Sequence, residues 1–227
     1  MNRFYKSVGV QRVGGNFAIA LDGRTVKTPG GEIMTVHAPG LADALAAEWA
    51  AQGEEIALDK MHLTRLAYAA VDTKRADIVA RLMKLAKSDL LFYRAEGPKE
   101  LVERQERAWD MPLIWMRVRY GAAFKTSTGI GFIEQPQGAV AAIEQALAQW
   151  DIYGLVARNA AAGILGSVAL AFSLADGKLD AASAFAAAHV DETWQAEKWG
   201  EDREARRRLD SLAAELASIE TFLRLLS

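Results

Sequence analysis

The chain of 227 residues contains no cysteine. Disulfides, thiolate zinc sites and cysteine nucleophiles are therefore excluded, and the composition fits a reducing compartment. Histidine is scarce too. His37, His62 and His189 lie far apart and form neither an HxH nor an HExxH pair, so a metal or hydrolytic site lacks its usual ligands. Neither charge dominates: 27 basic side chains face 29 acidic ones, for a net charge of -2, and no overall field favours nucleic acid or anionic membrane. The most membrane-like run, residues 160–175, is shorter than the roughly 20 apolar residues a bilayer requires. It follows Arg158 and Asn159 and reads as one buried helix. The phosphate-cradling patterns GxxxxGK[ST] and GxGxxG are missing as well, since neither "TGIG" at 128–131 nor "GILGS" at 163–167 continues into them. There are no repeats and no low-complexity linker. The start, "MNRFYKSVGVQRVGG", has no apolar signal core and no transit-like bias, and is expected to be mature protein.

What is present suffices for a folded protein, with 51% hydrophobic and 25% charged residues. The first forty residues favour strands. Phe17, Ile19 and Leu21 alternate onto one face, and Asp22-Gly23 supplies the positive φ angles of a two-residue hairpin turn. After Pro39 the period becomes helical, with Leu41, Leu45, Glu48, Trp49 and Gln52 at three- and four-residue steps. The expected architecture is α+β: an N-terminal antiparallel β domain over 1–56, then a larger all-helical domain over 57–227. Pro112 should start a new helix or kink the old one. "AFKTSTGIGFIEQP" is expected to be a short hairpin or an ordered loop. Four further helices are expected from about Gln137 to the end, with Gly163, Gly166 and Ser167 allowing close helix contact. In the last helix Leu209, Leu212, Leu216, Ile219, Leu223 and Leu226 form a narrow seam that should pack on its own domain. Arg203, Arg206, Arg207 and Arg208 form a basic cluster, but Asp202 and Glu204 precede Arg206 and Arg208 by one turn and imply an internally paired, solvated face.

The segment "DETWQAEKWG", 191–200, concentrates acids and tryptophans. On a helix Glu192, Gln195 and Trp199 share one face, and Asp191, Trp194 and Lys198 form the neighbouring stripe. Paired carboxylates can carry acid/base chemistry, and a hydrolase using Asp191 or Glu192 with His189 is one reading. It needs a second catalytic cluster that the sequence does not offer. Aromatics beside charged and amide groups match protein-interface hot spots instead, while in a purely structural reading the tryptophans plug the core. Trp199 is expected to fix the helix, and Gly200 to end it in the left-handed cap conformation that only glycine adopts without steric cost.

The blocks "RFYKSVGV", "LDGRTVKTP", "LADALAAEWAAQ", "MHLTRLAYAAVD", "DLLFYRAEGP", "Q-x3-WDMPLIW", "GS-x-AL" and "Q-x3-WGED" occur in this order. Together they resemble the assembly chaperones for the α subunit of the F-type ATP synthase catalytic head, the ATP-twelve family. The likeness runs from Arg3 to the last helix; His62 and the inserted Met111 depart from it. The resemblance implies a non-enzymatic protein that holds newly made α subunit until β pairs with it, with no cofactor and with ATP not a ligand. It implies an N-terminal β domain followed by helices, no nucleic-acid partner and no membrane insertion. The family's sensitive acidic position maps to Asp191 or Glu192, just before Gln195 and Trp199. Trp49 falls in the family's LA-x-EW-x2-Q block, where it either braces the two domains or joins the client surface. A bacterial cytoplasm is the expected location, with the mitochondrial matrix for eukaryotic relatives. A general peptide-binding module is the competing reading.

Overall fold

The computed structural model describes residues 1–200 and 202–226. Strands β1 (Val8–Val13) and β2 (Asn16–Leu21) pair antiparallel through the tight turn at Gly14 and Gly15, in a register from Val8↔Leu21 to Val13↔Asn16. Asp22 (φ 48°) and Gly23 (φ 81°) then reverse the chain into β3 (Arg24–Thr25), as the sequence predicts. Strand β4 (Thr35–Val36) also pairs with β2, which completes a four-stranded sheet. Ile19 and Leu21 are buried as expected and Phe17 is half-buried, but Ala18 and Ala20 on the opposite face are buried too.

Helix α1 (Pro39–Ala50) packs across β1 and β2. Its LA-x-EW-x2-Q block has structural duties. The Glu48 carboxylate accepts from the amides of Leu63 (3.1 Å) and Thr64 (2.8 Å), capping the next helix, α2 (His62–Asp72). Gln52 accepts from the Ala57 amide at 2.9 Å. Trp49 is buried, its ring edge-on to Tyr5, whose hydroxyl donates to the Trp49 carbonyl at 2.7 Å. The ring thus packs inside the N-terminal part of the chain, 3% exposed. A buried ring offers no surface to a partner. Asp72 at the end of α2 accepts from the Thr28 hydroxyl (2.6 Å) and the Gly30 amide (3.0 Å), tying the VKTPGG loop to the helices.

Beyond α2 come α3 (Arg75–Ala86), a 3-10 turn at Leu90–Phe92, the two-residue strand β5 (Tyr93–Arg94) and the long α4 (Lys99–Tyr120). Pro112 lies inside α4 and does not begin a new helix. The segment after α4 is not a hairpin: β6 (Ser127–Thr128) pairs parallel with β5, and the buried Gln135 side chain clamps the loop base through the Lys125 amide (2.8 Å) and carbonyl (3.0 Å).

Among the described residues from Gln137 onward there are six helices, not four: α5 (Gln137–Gln149), α6 (Ile152–Leu165), α7 (Val168–Ala175), α8 (Ala181–Ala188), α9 (Val190–Trp199) and α10 (Arg203–Leu226). The extra breaks have local causes. Asp151, Ser167 and Asp180 each cap a new helix by accepting from the amide three residues on. The run 160–175 is thus two helices, because Gly166 (φ 62°) closes α6 in the left-handed conformation and Ser167 opens α7. Asp89, only 1% exposed, supports this break from outside. Its carboxylate accepts from Val168 (2.6 Å), Ala169 (3.1 Å) and Leu91 (3.0 Å), while burial pushes its pKa up against the pull of these donors.

Helix α6 lies at the middle of the helical layer, against α2, α3, α7 and α10. A single apolar cluster runs from Tyr5 and Ile19 through Trp49 and Leu155 to Phe222. The α10 seam packs on its own molecule, with Leu216 and Ile219 buried beside Phe222, which the seam reading omitted. Residues 203–208 of α10 are exposed, so its first turns extend past the core.

Candidate functional site

Helix α9 lies along α4, and the polar contacts between them decide which way its acids point. The Gln105 side chain donates to Asp191 Oδ1 at 2.7 Å and accepts from the Ala95 amide at 2.8 Å. Asp191 is therefore occupied inside the protein. Glu192 is exposed and lines an open groove of about 710 Å³ between α9 and α10, with Phe185, His189 and Ala196 on one wall and Arg206, Arg208 and Leu209 on the other. Both acids sit in the first turn of α9, where the helix dipole favours negative charge. Gln195 is exposed beside them.

Trp199, expected to fix the helix, does not pack inward. Trp194, 9% exposed, is the ring that packs inward, and Trp199, 74% exposed, stands in solvent. They meet edge-on at 5.5 Å. One residue face decides this: Trp194 shares the stripe of Asp191 and Lys198 that docks on α4, so Trp199 falls outside the contact. Gly200 ends the helix with positive φ, as foreseen, but in an extended conformation (φ 96°, ψ 159°) rather than the left-handed helical one.

An ion network holds the far end of α9. Arg104 bridges Glu197 (2.8 Å) and Glu100 (2.9 Å), and Lys198 reaches Glu100 at 3.1 Å. Lys198 is the main cause that holds Glu100 below the ordinary glutamate range, and Arg104 does the same for Glu197. Underneath, Trp109 donates from its indole to the Ala187 carbonyl at 2.7 Å, fixing α8 to α4. In the basic cluster, Asp202 accepts from the Glu204 amide at 2.9 Å as a helix cap, and Arg206 reaches one turn downstream to Asp210 at 3.0 Å.

The groove brings His189 and Glu192 to one wall but does not pair them. His189 Nδ1 contacts the Phe185 carbonyl at 2.9 Å and its ring stacks on Phe185 at 4.0 Å. The basic groups across the groove, Arg206 and Arg208, are exposed rather than buried. Among the described residues no group of three or more His, Asp or Glu side chains could hold a metal ion, and no helix is long and apolar enough to cross a membrane.

Sequence reasoning missed Gln105, Glu100 and Arg104 as the partners that orient α9, although Glu100 and Arg104 stand one turn apart. It also missed an exposed apolar stripe on α4, Met111, Ile114 and Val118, and the exposed Ile130 and Phe132 of the clamped loop. Apolar residues at helical spacing carry the same signal whether they face a core or a partner.

A helical layer that presents Glu192, Gln195 and the exposed Trp199 ring on one helix, and exposed apolar side chains on another, has the makeup of a protein-docking surface. The class indicated is a protein that works by binding another protein. Comparison with known proteins agrees. The family model described as ATP12 chaperone protein matches residues 2–117, and the chain belongs to that family. Among solved structures it is similar to Atp12 of Paracoccus denitrificans, with 32% identity over 100% of this chain and 98% of the other at a TM-score of 0.93. An aspartate-to-lysine mutant of the same P. denitrificans protein matches with the same figures. The Atu1473 protein from Agrobacterium tumefaciens matches at 35% identity over 100% of this chain and 86% of that one, with a TM-score of 0.95.

Proposed function

We propose that this chain holds the unassembled α subunit of the F-type ATP synthase catalytic head until β takes its place. The observation that carries the reading is the likeness to Atp12 along the whole chain, at a TM-score of 0.93. It is supported by an outward face of α9 on which Glu192, Gln195 and Trp199 are all exposed. The physical need is plain: an α subunit without β exposes apolar surface that aggregates. A few aromatic and charged contacts within a standard interface of about 1,600 Å² hold such a client while leaving it displaceable. β wins by burying more surface, so the exchange requires no nucleotide, cofactor or catalytic step. Within this reading Glu192 contacts the client, Asp191 positions α9 through Gln105, and Trp49 acts only by bracing the sheet.

Size-exclusion chromatography with light scattering on the chain mixed with isolated α tests the assignment. A stoichiometric complex is expected, with none formed by the separate β subunit. Equal retention of α by an unrelated protein of similar hydrophobicity would sink it.

A further inference from the structure

Helix α4 carries a second surface that neither the core nor α9 uses. Met111, Ile114 and Val118 are 66%, 49% and 73% exposed, and with Trp115 they share one face of the helix at steps of three and four. The stripe is not flat. Together with Pro112 and Leu179 it lines a cavity of about 190 Å³, large enough for one apolar side chain. A soluble protein seldom leaves contiguous apolar surface of this kind without a partner.

The rim supplies the charge that identifies the occupant. By helical spacing Arg117 and Arg119 flank the stripe on its two sides, and Lys178 lines the cavity with its ammonium 4.2 Å from the centre of the Trp115 ring. None of the three makes an ion pair among the described residues. Of the nearby acids, Asp176 accepts from the neutral Trp115 indole (2.8 Å) and Tyr120 hydroxyl (2.7 Å) and its charge acts on the buried Arg158 guanidinium, and Asp110 pairs with Arg94 at 2.9 Å. An apolar slot is thus lined by one cation and flanked by two more, and among the described residues none of the three has an ion-pair partner. We infer that this face seats an amphipathic segment of the held protein, one whose apolar anchor enters the cavity and whose flanking carboxylates meet Arg117, Arg119 and Lys178. The inference rests on the chaperone reading and adds a second point of grip to it, on α4 rather than α9. Placing the salt-sensitive contacts at the rim steers encounter without burying a charge, which suits a client that must leave again.

Two probes and two variants test it. The probes are a synthetic helical peptide with leucines at one-turn spacing flanked by glutamates, and its twin flanked by lysines. The variants are Ile114→Ser with Val118→Ser, and Arg117→Glu with Lys178→Glu, all surface positions at which melting temperature should hold. The glutamate peptide should bind the wild-type chain about tenfold more tightly than its twin, the serine variant should lose about tenfold, and the charge variant should reverse the preference. Equal binding of both peptides, or binding indifferent to both variants, overturns the inference. A parallel measurement uses isolated α subunit. If α binds the wild type and both variants equally, this surface is not used although the proposed function stands; if α binds none of them, the proposed function falls and the peptides alone decide the surface. Self-association of the wild type that the serine variant abolishes would show a second copy on the stripe and overturn the assignment of its occupant.

Discussion

Trp194 and Trp199 stand on one helix, yet burial separates them, and single substitutions should show it. Trp194→Ala should cost roughly 3 kcal/mol or more of stability, as for other buried aromatics, while Trp199→Ala should change it by less than about 1 kcal/mol and weaken client binding instead. The acids divide the same way. Glu192→Gln removes charge from an exposed side chain and should shift folding by less than about 0.5 kcal/mol, whereas Asp191→Ala leaves the buried Gln105 amide without its acceptor and should cost about 1 to 2 kcal/mol. Chemical denaturation of the four variants checks the set; equal losses at Trp194 and Trp199 would contradict the assigned orientation of α9. This division was not legible beforehand. The spacing of Asp191, Glu192, Trp194 and Trp199 fixes which residues share a face, but which face docks is set by Gln105 and Lys198's partner Glu100, more than eighty residues away in the chain.

At the scale of the element, the break between α6 and α7 depends on a carboxylate from elsewhere. Asp89→Ala strips an acceptor from three buried amides and should cost roughly 3 kcal/mol or more; Asp89→Asn, which can still cap, should cost clearly less. Thermal unfolding of both variants tests the cap, and equal losses would refute it. The junction of α4 and α9 adds a pH dependence. Glu100 and Glu197 have folded-state values below their unfolded ones, chiefly through Lys198 and Arg104 respectively, so their ionised forms favour the folded state at every pH above the unfolded value near 4.3. That contribution is lost as pH falls through the lowered values. The indole NMR signal of Trp194 should therefore report α9 loosening below roughly pH 4, and Arg104→Met should blunt the transition. An unchanged signal between roughly pH 5 and pH 3 would show that the network does not hold the helix. The two missed helix boundaries follow from the same physics. Ser167 reads in sequence as a small residue for close helix contact and Asp180 as an ordinary polar one, and only the completed caps distinguish them from helix interior.

For the whole molecule, the order of sheet then helices was legible because its signals are local: alternation in β2, the Asp22-Gly23 turn, and the change of period after Pro39. The motif blocks proved to be the joints of that plan. Asp22 accepts from the amides of Lys6 and Ser7, Glu48 caps α2, Asp72 receives the VKTPGG loop, and Asp89 caps α7. They fix the frame, and they say less about the proposed client surfaces, because exposure on α9 and α4 is decided by which face of each helix docks on the rest of the fold. The most direct measurement of the central claim is the light scattering of isolated α subunit diluted into buffer with this chain at equal concentration, followed by addition of β. Scattering should stay low with the chain present and rise with an inert protein in its place, and β should then release the chain as α and β pair. Aggregation of α that proceeds equally fast with either protein would contradict the account.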